Sequence, residues 1–285
     1  MHHLTSPKYL KELLKRHDFN FSKSLGQNFL IDENILQKII HGAEISPEDK
    51  VLEIGPGVGT LTSAIVRQGA EVTAVEVDRD LLPILEETLN EFPNVRVIHG
   101  DILKLDLNKL IQDSFQGSSF KVVANLPYYI TTPIIMRLLE NEFSYTSITV
   151  MIQKEVAQRM AALPDSKEYG ALSVAVQYYT QPRIIGKVPA GVFMPPPKVD
   201  SMIITLVKRS KPAVEVISST RFFQVVKAVF AQRRKTLLNT LYNAQLTEMD
   251  KSNLNTMLGS LNINPQRRGE TLSLEELALI SNQLG

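Results

Sequence analysis

The stretch Val51-Leu52-Glu53-Ile54-Gly55-Pro56-Gly57-Val58-Gly59-Thr60-Leu61-Thr62 (residues 51–62) decides how the rest of the chain is read. It is a short apolar strand, a glycine-rich turn and the start of a helix. Gly55 and Gly57 let the backbone turn tightly and approach a ligand with no Cβ in the way. Free N–H groups where the helix begins can contact a polar or charged ligand. The spacing is G-x-G-x-G, so the third glycine comes one position earlier than in the dinucleotide fingerprint G-x-G-x-x-G.

Downstream, strands and helices alternate. Apolar runs predict strands at Glu71–Val77, Val95–Ile98, Phe120–Ala124 and Ser147–Ile152, with helices at Leu61–Gln68, Asp80–Glu91, Thr132–Glu140, Lys154–Ala162 and Ala171–Tyr179. That alternation argues for an α/β fold with a mostly parallel sheet covered on both faces. Arg183–Val188 and Met202–Val207 follow without a crossover helix, which suggests an antiparallel pair at the sheet edge. Upstream, Ser6-Pro7 opens a helix to about Arg16, a loop spans Phe21 to Ile31, and Asp32 caps a helix carrying Ile35, Leu36, Ile39 and Ile40. Beyond about residue 210 the pattern is wholly helical: Arg221–Tyr242, Lys251–Leu258 and Leu274–Leu284. We therefore expect two domains, 1–209 and 210–285.

Composition narrows the classes. The 285 residues are 44% hydrophobic and 21% charged, as in a globular chain. No apolar run is long enough to span a membrane, and Met1–Arg16 lacks the apolar stretch of a signal peptide. Cysteine is absent and the five histidines are scattered. Disulfides, thiolate chemistry and a metal site are therefore not expected. The chain reads as cytoplasmic and monomeric. Net charge is +1, but it is +3 over residues 1–31, −7 over 32–207 and +5 over 208–285. Basic ends around an acidic middle can mark a polyanion-binding surface.

Three acids fall at the carboxyl ends of predicted strands, where such sheets bind ligands. Glu53 lies just before the glycine loop. Glu76, 21 residues after Gly55, can accept from both hydroxyls of a ribose. Asp101, in His99-Gly100-Asp101, can accept from an exocyclic adenine amine. Glu76 suits NAD and S-adenosylmethionine equally; the shortened glycine spacing and the Gly-Asp pair favour S-adenosylmethionine.

Asn125-Leu126-Pro127-Tyr128 follows the fourth strand, again at the ligand edge. An exocyclic amine is a poor nucleophile because its lone pair is delocalised into the ring. The Asn125 side-chain oxygen and the Leu126 carbonyl can accept its two N–H bonds and favour a more tetrahedral nitrogen. Pro127 stiffens the turn, and Tyr128 offers a ring for the base to stack on. Positioning and electrostatics would do most of the catalysis. A base inside a duplex cannot reach such a pocket, so the target must be unpaired or flipped out. Phe193, opening Phe-Met-Pro-Pro-Pro-Lys, is a candidate for the opposite stacking face or a core aromatic under a proline loop.

These residues make the chain similar to the small-subunit ribosomal RNA adenine dimethyltransferase (KsgA) family. The resemblance runs nearly end to end. It includes Lys23-Ser24-Leu25-Gly26-Gln27-Asn28-Phe29-Leu30, the glycine loop, Glu76, Gly100-Asp101, Asn125–Tyr128 and Phe193–Ser201. It continues through Phe230-Ala231-Gln232-Arg233-Arg234-Lys235-Thr236-Leu237 and Arg268–Leu272. The resemblance implies a Rossmann-like, seven-stranded class I methyltransferase sheet with a small helical C-terminal domain. It implies S-adenosylmethionine as cofactor, held by Asn28, Leu30, Gly55, Gly57, Glu76, Asp101 and Asn125. Asn125, Leu126, Tyr128 and Phe193 would hold the target adenine. The implied partner is the assembling small ribosomal subunit, with two adjacent adenines near the 3′ end of its RNA dimethylated. Arg233, Arg234, Lys235 and Lys23 would contact phosphates. Gly269 is a modest departure, since the family often has alanine there. Two other readings stand beside this one: a large-subunit enzyme of the macrolide-resistance (Erm) type, and a subunit-assembly factor with dispensable catalysis.

Overall fold

The computed structural model describes residues 4–22, 24–141 and 143–284. The chain packs as two compact units. One is formed by the residues up to Ala157 with Arg183–Lys208; the other by Gln158–Pro182 with the chain from Arg209 onward. The helical unit thus also takes up 158–182, which a division in sequence order assigns to the first domain.

The first unit is built on seven strands: β1 Lys50–Ile54, β2 Glu71–Glu76, β3 Val95–His99, β4 Phe120–Asn125, β5 Tyr145–Gln153, β6 Thr180–Val188 and β7 Ser201–Lys208. Their order in the sheet is β3-β2-β1-β4-β5-β7-β6. Strands β1 to β5 run parallel, and β7 runs antiparallel to β5. Val51, Leu52, Val122 and Val123 are buried, as expected of parallel strands covered on both sides. From β1 the chain winds outward through β2 and β3, then returns to β4 on the other side of β1. That reversal opens a crevice at the carboxyl ends of β1 and β4.

Six helices serve this unit: α1 Pro7–Arg16, α2 Glu33–Gly42, α3 Thr60–Val66, α4 Leu82–Leu89, α5 Leu107–Phe115 and α6 Thr131–Leu139. Ser6 caps α1 with Pro7 in its first turn, and Leu10, Leu13 and Leu14 are buried. The Asp32 carboxylate caps α2 by accepting from the Ile35 N–H at 2.9 Å. Helix α5 is absent from the sequence reading; Asp106 caps it, and Leu107, Leu110, Ile111 and Phe115 are buried. The predicted loop 21–31 ends in a short strand instead: Phe29–Leu30 pairs antiparallel with Phe193–Met194. That partner lies more than 160 residues away in sequence, beyond the reach of local patterning.

Helix α7, Lys154–Met160, leads from the first unit into the second. There follow α8 Ala171–Tyr179, α9 Ser219–Phe230, α10 Leu237–Asn243, α11 Lys251–Ser260 and α12 Leu274–Leu284. The core of the second unit gathers Phe222, Val225, Leu237, Leu254, Leu258 and Leu277 with Val174 and Tyr178 of α8. Tyr178 stacks on Phe222 at 5.1 Å between ring centroids. The single helix expected over 221–242 is two helices. Apolar spacing stops at Phe230 and resumes at Leu237, and Thr236 between them is extended. The Leu237 and Leu238 N–H groups bond to the carbonyls of Arg267 (2.7 Å) and Pro265 (3.1 Å), not to a preceding helical turn. Arg233, Arg234 and Lys235 therefore sit on an exposed turn, not on a helix face.

Gly269 is set by close approach. A Cβ there would lie 2.6 Å from Val229 Cγ1 and 2.8 Å from the Val229 carbonyl oxygen. Gly269→Ala is expected to destabilise the second unit by about 1–3 kcal/mol, because backbone must move to admit the methyl. Thermal or urea unfolding checks this, and an unchanged or higher midpoint would contradict it.

Candidate active site

A cavity of about 260 Å³ opens at the carboxyl edge of the sheet, within the first unit. Its walls come from the ends of β1, β2 and β4, the turn after β3, and residues 25–30. Every cofactor residue proposed from the sequence borders it: Asn28, Leu30, Gly55, Gly57, Glu76, Asp101 and Asn125, as do Leu126, Tyr128 and Phe193. Lys23 lies outside the described residues.

The glycine loop makes the cradle. Gly57 has φ +61°, and a Cβ on it would press on the Phe29 ring at 3.1 Å. Gly55, at φ +70°, meets open space in the same direction, so the backbone there is bare to a ligand. Glu76, at the end of β2, fixes the loop. One of its carboxylate oxygens accepts from the Gly57 N–H at 3.3 Å and the other from the Asp78 N–H at 2.9 Å. Burial nonetheless pushes its carboxyl above the usual range, because these bonds do not fully replace water. Glu53 is still more enclosed. It is 1% exposed, and its Oε2 has no hydrogen-bond partner among the described residues. Burial pushes it up to about 8; the Thr62 hydroxyl opposes that rise and the nearby Glu76 adds to it. Asp101 Oδ1 accepts the Leu103 N–H at 2.9 Å, which fixes the turn after β3.

The turn after β4 is rigid. Leu126 N–H donates to the Met151 carbonyl at 3.1 Å, and the Pro127 carbonyl accepts from the Thr131 hydroxyl at 3.0 Å. Asn125 donates its side-chain N–H to the Asn28 carbonyl at 3.0 Å. With its nitrogen so engaged, the amide oxygen is the atom left to accept from a ligand. The Tyr128 hydroxyl shares a 2.7 Å hydrogen bond with Ser201 on β7, which holds its half-buried ring. Phe193 is 3% exposed. Its ring packs with Leu30, Ile39 and Ile203 while also bordering the cavity, so the core and site readings of this residue both apply.

Two residues that the sequence did not single out, Gln27 and Tyr129, complete the rim. Gln27 donates to Asp78 at 2.5 Å and accepts from the Ser22 N–H at 2.8 Å. This bond ties residues 25–28 to the loop after β2. Asn28 donates its own side-chain N–H to the Gly26 carbonyl at 2.9 Å. Tyr129 is 56% exposed and lies against Gly26. A second aromatic directly after Tyr128 was the available signal for it.

The amino-acid pattern of the ribosomal RNA adenine dimethylase family matches residues 18–279. The chain belongs to that family. As a member it is an S-adenosylmethionine-dependent enzyme that methylates adenine in ribosomal RNA. Its relatives include the "Ribosomal RNA small subunit methyltransferase A" of Alkaliphilus oremlandii, 53% identical over all of this chain and 99% of the other. The protein of the same name from Clostridioides difficile is 50% identical over 99% of this chain and 97% of the other. Among solved structures, a dimethyladenosine transferase from Plasmodium falciparum superposes with TM-score 0.76 at 25% identity, covering 88% of this chain and 95% of that one. The 23S rRNA methyltransferase ErmE superposes with TM-score 0.69 at 25% identity, covering 90% and 99%. The class I methyltransferase sheet expected of the family is the one observed. The pocket suits the family's cofactor: an open glycine cradle, a carboxylate at the end of β2 and an orphaned acid oxygen meet in one cavity. No helix among the described residues is long and apolar enough to cross a membrane.

Proposed function

We propose that this chain dimethylates the N6 amines of two adjacent adenines in the 3′-terminal hairpin loop of small-subunit ribosomal RNA, acting on an assembling subunit. The full-length relatives at about half identity, named for the small subunit, carry this reading over the large-subunit one. Bound S-adenosylmethionine supplies an electrophilic methyl group. Asn28, Leu30, Gly55, Gly57, Glu76, Asp101 and Asn125 hold it. The observation that supports the chemistry is the Asn125 amide, whose nitrogen is committed to Asn28 and whose oxygen is left to accept. That oxygen and the Leu126 carbonyl take the two N–H bonds of the amine and direct its lone pair at the methyl group. No strong base is required, because the nitrogen sheds its proton after it becomes cationic. Tyr128 stacks on the base, and Phe193 closes the other face.

In the second unit, Arg234 and Lys235 on the exposed turn serve RNA phosphates, as does Lys23 near the N-terminus. Arg233 also donates to the Lys167 carbonyl, so it shapes that turn as well as carrying charge.

Mass spectrometry of undermethylated small subunits after incubation with enzyme and donor should find two dimethyladenosines in one loop. Methyl incorporation into large-subunit RNA instead would replace this reading with the Erm-type one. Tyr128→Ala should reduce turnover roughly 10- to 100-fold, the worth of one stacked base, and leave donor affinity within about threefold. Tyr128→Phe should retain most activity. Equal losses of turnover and donor affinity in Tyr128→Ala would remove the stacking role.

A further inference from the structure

Glu53 carries a buried carboxyl that the chemistry above does not use. It sits on β1, the central strand, paired with Ala74 of β2 and Val123 of β4. Its side chain borders the cavity, yet Oε2 has no partner among the described residues. The Thr60 hydroxyl on α3 is buried and unpartnered among the described residues and borders the same cavity, while the buried Thr62 hydroxyl lies against the Glu53 carboxyl and only partly offsets its loss of water. The elements around this end of β1 bring it little that is charged. Strand β2 contributes Glu76, which is of like sign and already takes two backbone N–H groups. Helix α3 contributes Thr60 at the cavity and Thr62 against the carboxyl itself, α2 contributes Ile39, and β4 contributes Asn125, whose N–H goes to Asn28. Asp101 and Tyr129 also border the cavity, and neither supplies a cation. Lys50, on the same strand, has its ammonium at the opposite end, on the Phe115 carbonyl and Ser118. Lys121 of β4 is likewise committed to Asp49 and the Glu44 carbonyl. A carboxylate this enclosed, next to a second acid and without a cation, is more stable neutral.

We propose that Glu53 stands as a neutral carboxylic acid in the donor-free pocket and gives up its proton when the positively charged methyl donor binds. The donor carries a sulfonium and an ammonium against one carboxylate, so its net charge favours the ionised form of an acid that is itself buried. Donor binding and proton release are then a single event. The sign follows from linkage: the donor-free protein holds the extra proton, so donor affinity rises with pH below the raised carboxyl value and levels off above it.

The inference rests on the donor and not on which RNA is modified. Its test contains no RNA, so its failure is separate from failure of the methylation assay. Titration calorimetry with S-adenosylmethionine at pH 7, in phosphate and in Tris, reads the protons released from the difference in buffer ionisation heat. An acid at about 8 should release roughly 0.9 proton per donor bound. Donor Kd should fall about tenfold from pH 6 to pH 7. Glu53→Gln replaces a neutral acid with a neutral amide, so it should keep its melting temperature, release no proton and lose the pH dependence. In wild-type protein, 13C-carboxyl NMR should show a glutamate titrating near 8 that ionises on donor addition, which tests the proposal even if the variant folds poorly. No proton release by wild type, unchanged release by Glu53→Gln, or a glutamate signal already ionised at pH 6 would each overturn it.

Discussion

Asn125→Ala is expected to slow single-turnover methyl transfer about a thousandfold, roughly 4 kcal/mol of transition-state stabilisation. The alanine removes the oxygen that accepts from the amine, and nothing else at the end of β4 stands in its place. It also strips the Asn28 carbonyl of its donor, so residues 25–28 lose a tie to the catalytic turn. Asn125→Asp should not rescue the rate. A carboxylate offers no N–H to Asn28, and its charge would face that carbonyl and the acids of the pocket. Quench-flow with labelled donor and undermethylated small subunits measures the loss. A rate within fivefold of wild type would remove Asn125 from the proposed chemistry.

Glu76→Ala is expected to weaken binding of S-adenosylmethionine about a hundredfold, near 3 kcal/mol, with the charge-assisted hydrogen bonds to a ribose contributing most. Part of the loss is indirect, because Glu76 also holds the N–H groups of Gly57 and Asp78. Freed of that restraint, Asp78 would orient Gln27 less well, and the rim formed by residues 25–28 would loosen. Glu76→Gln keeps the shape but offers a single acceptor oxygen, so a loss of about tenfold is expected. Calorimetry with the donor alone measures both, and an unchanged Kd in Glu76→Ala would take this residue out of the site.

The residues that frame the cavity were legible because each follows from a local pattern. Glycines at a strand-to-helix turn, acids at strand ends and a proline-stiffened turn all sit where a parallel sheet must bind its ligand. Gln27 was not legible as a tie, since its partner Asp78 is 51 residues away and the bond is a side-chain contact. The Phe29–Leu30 strand is invisible to local patterning for the same reason. The break at 231–236 was available in the sequence as a gap in apolar spacing between Phe230 and Leu237. Good helix formers within the gap, Gln232 to Lys235, masked it. Helix α5 leaves a faint local signal although Leu107, Leu110 and Ile111 recur at helical spacing, because it is short and enters from a polar turn.

The discontinuity of the helical unit bears on how the protein can be cut. Val174 and Tyr178 come from a segment that precedes β7 in the chain, yet they pack in the same core as Phe222 and Leu277. A fragment beginning at Arg209 would lack that segment and leave Phe222 without its stacked neighbour. The C-terminal quarter is therefore no detachable cassette. A graft onto another enzyme would have to carry two pieces of gene.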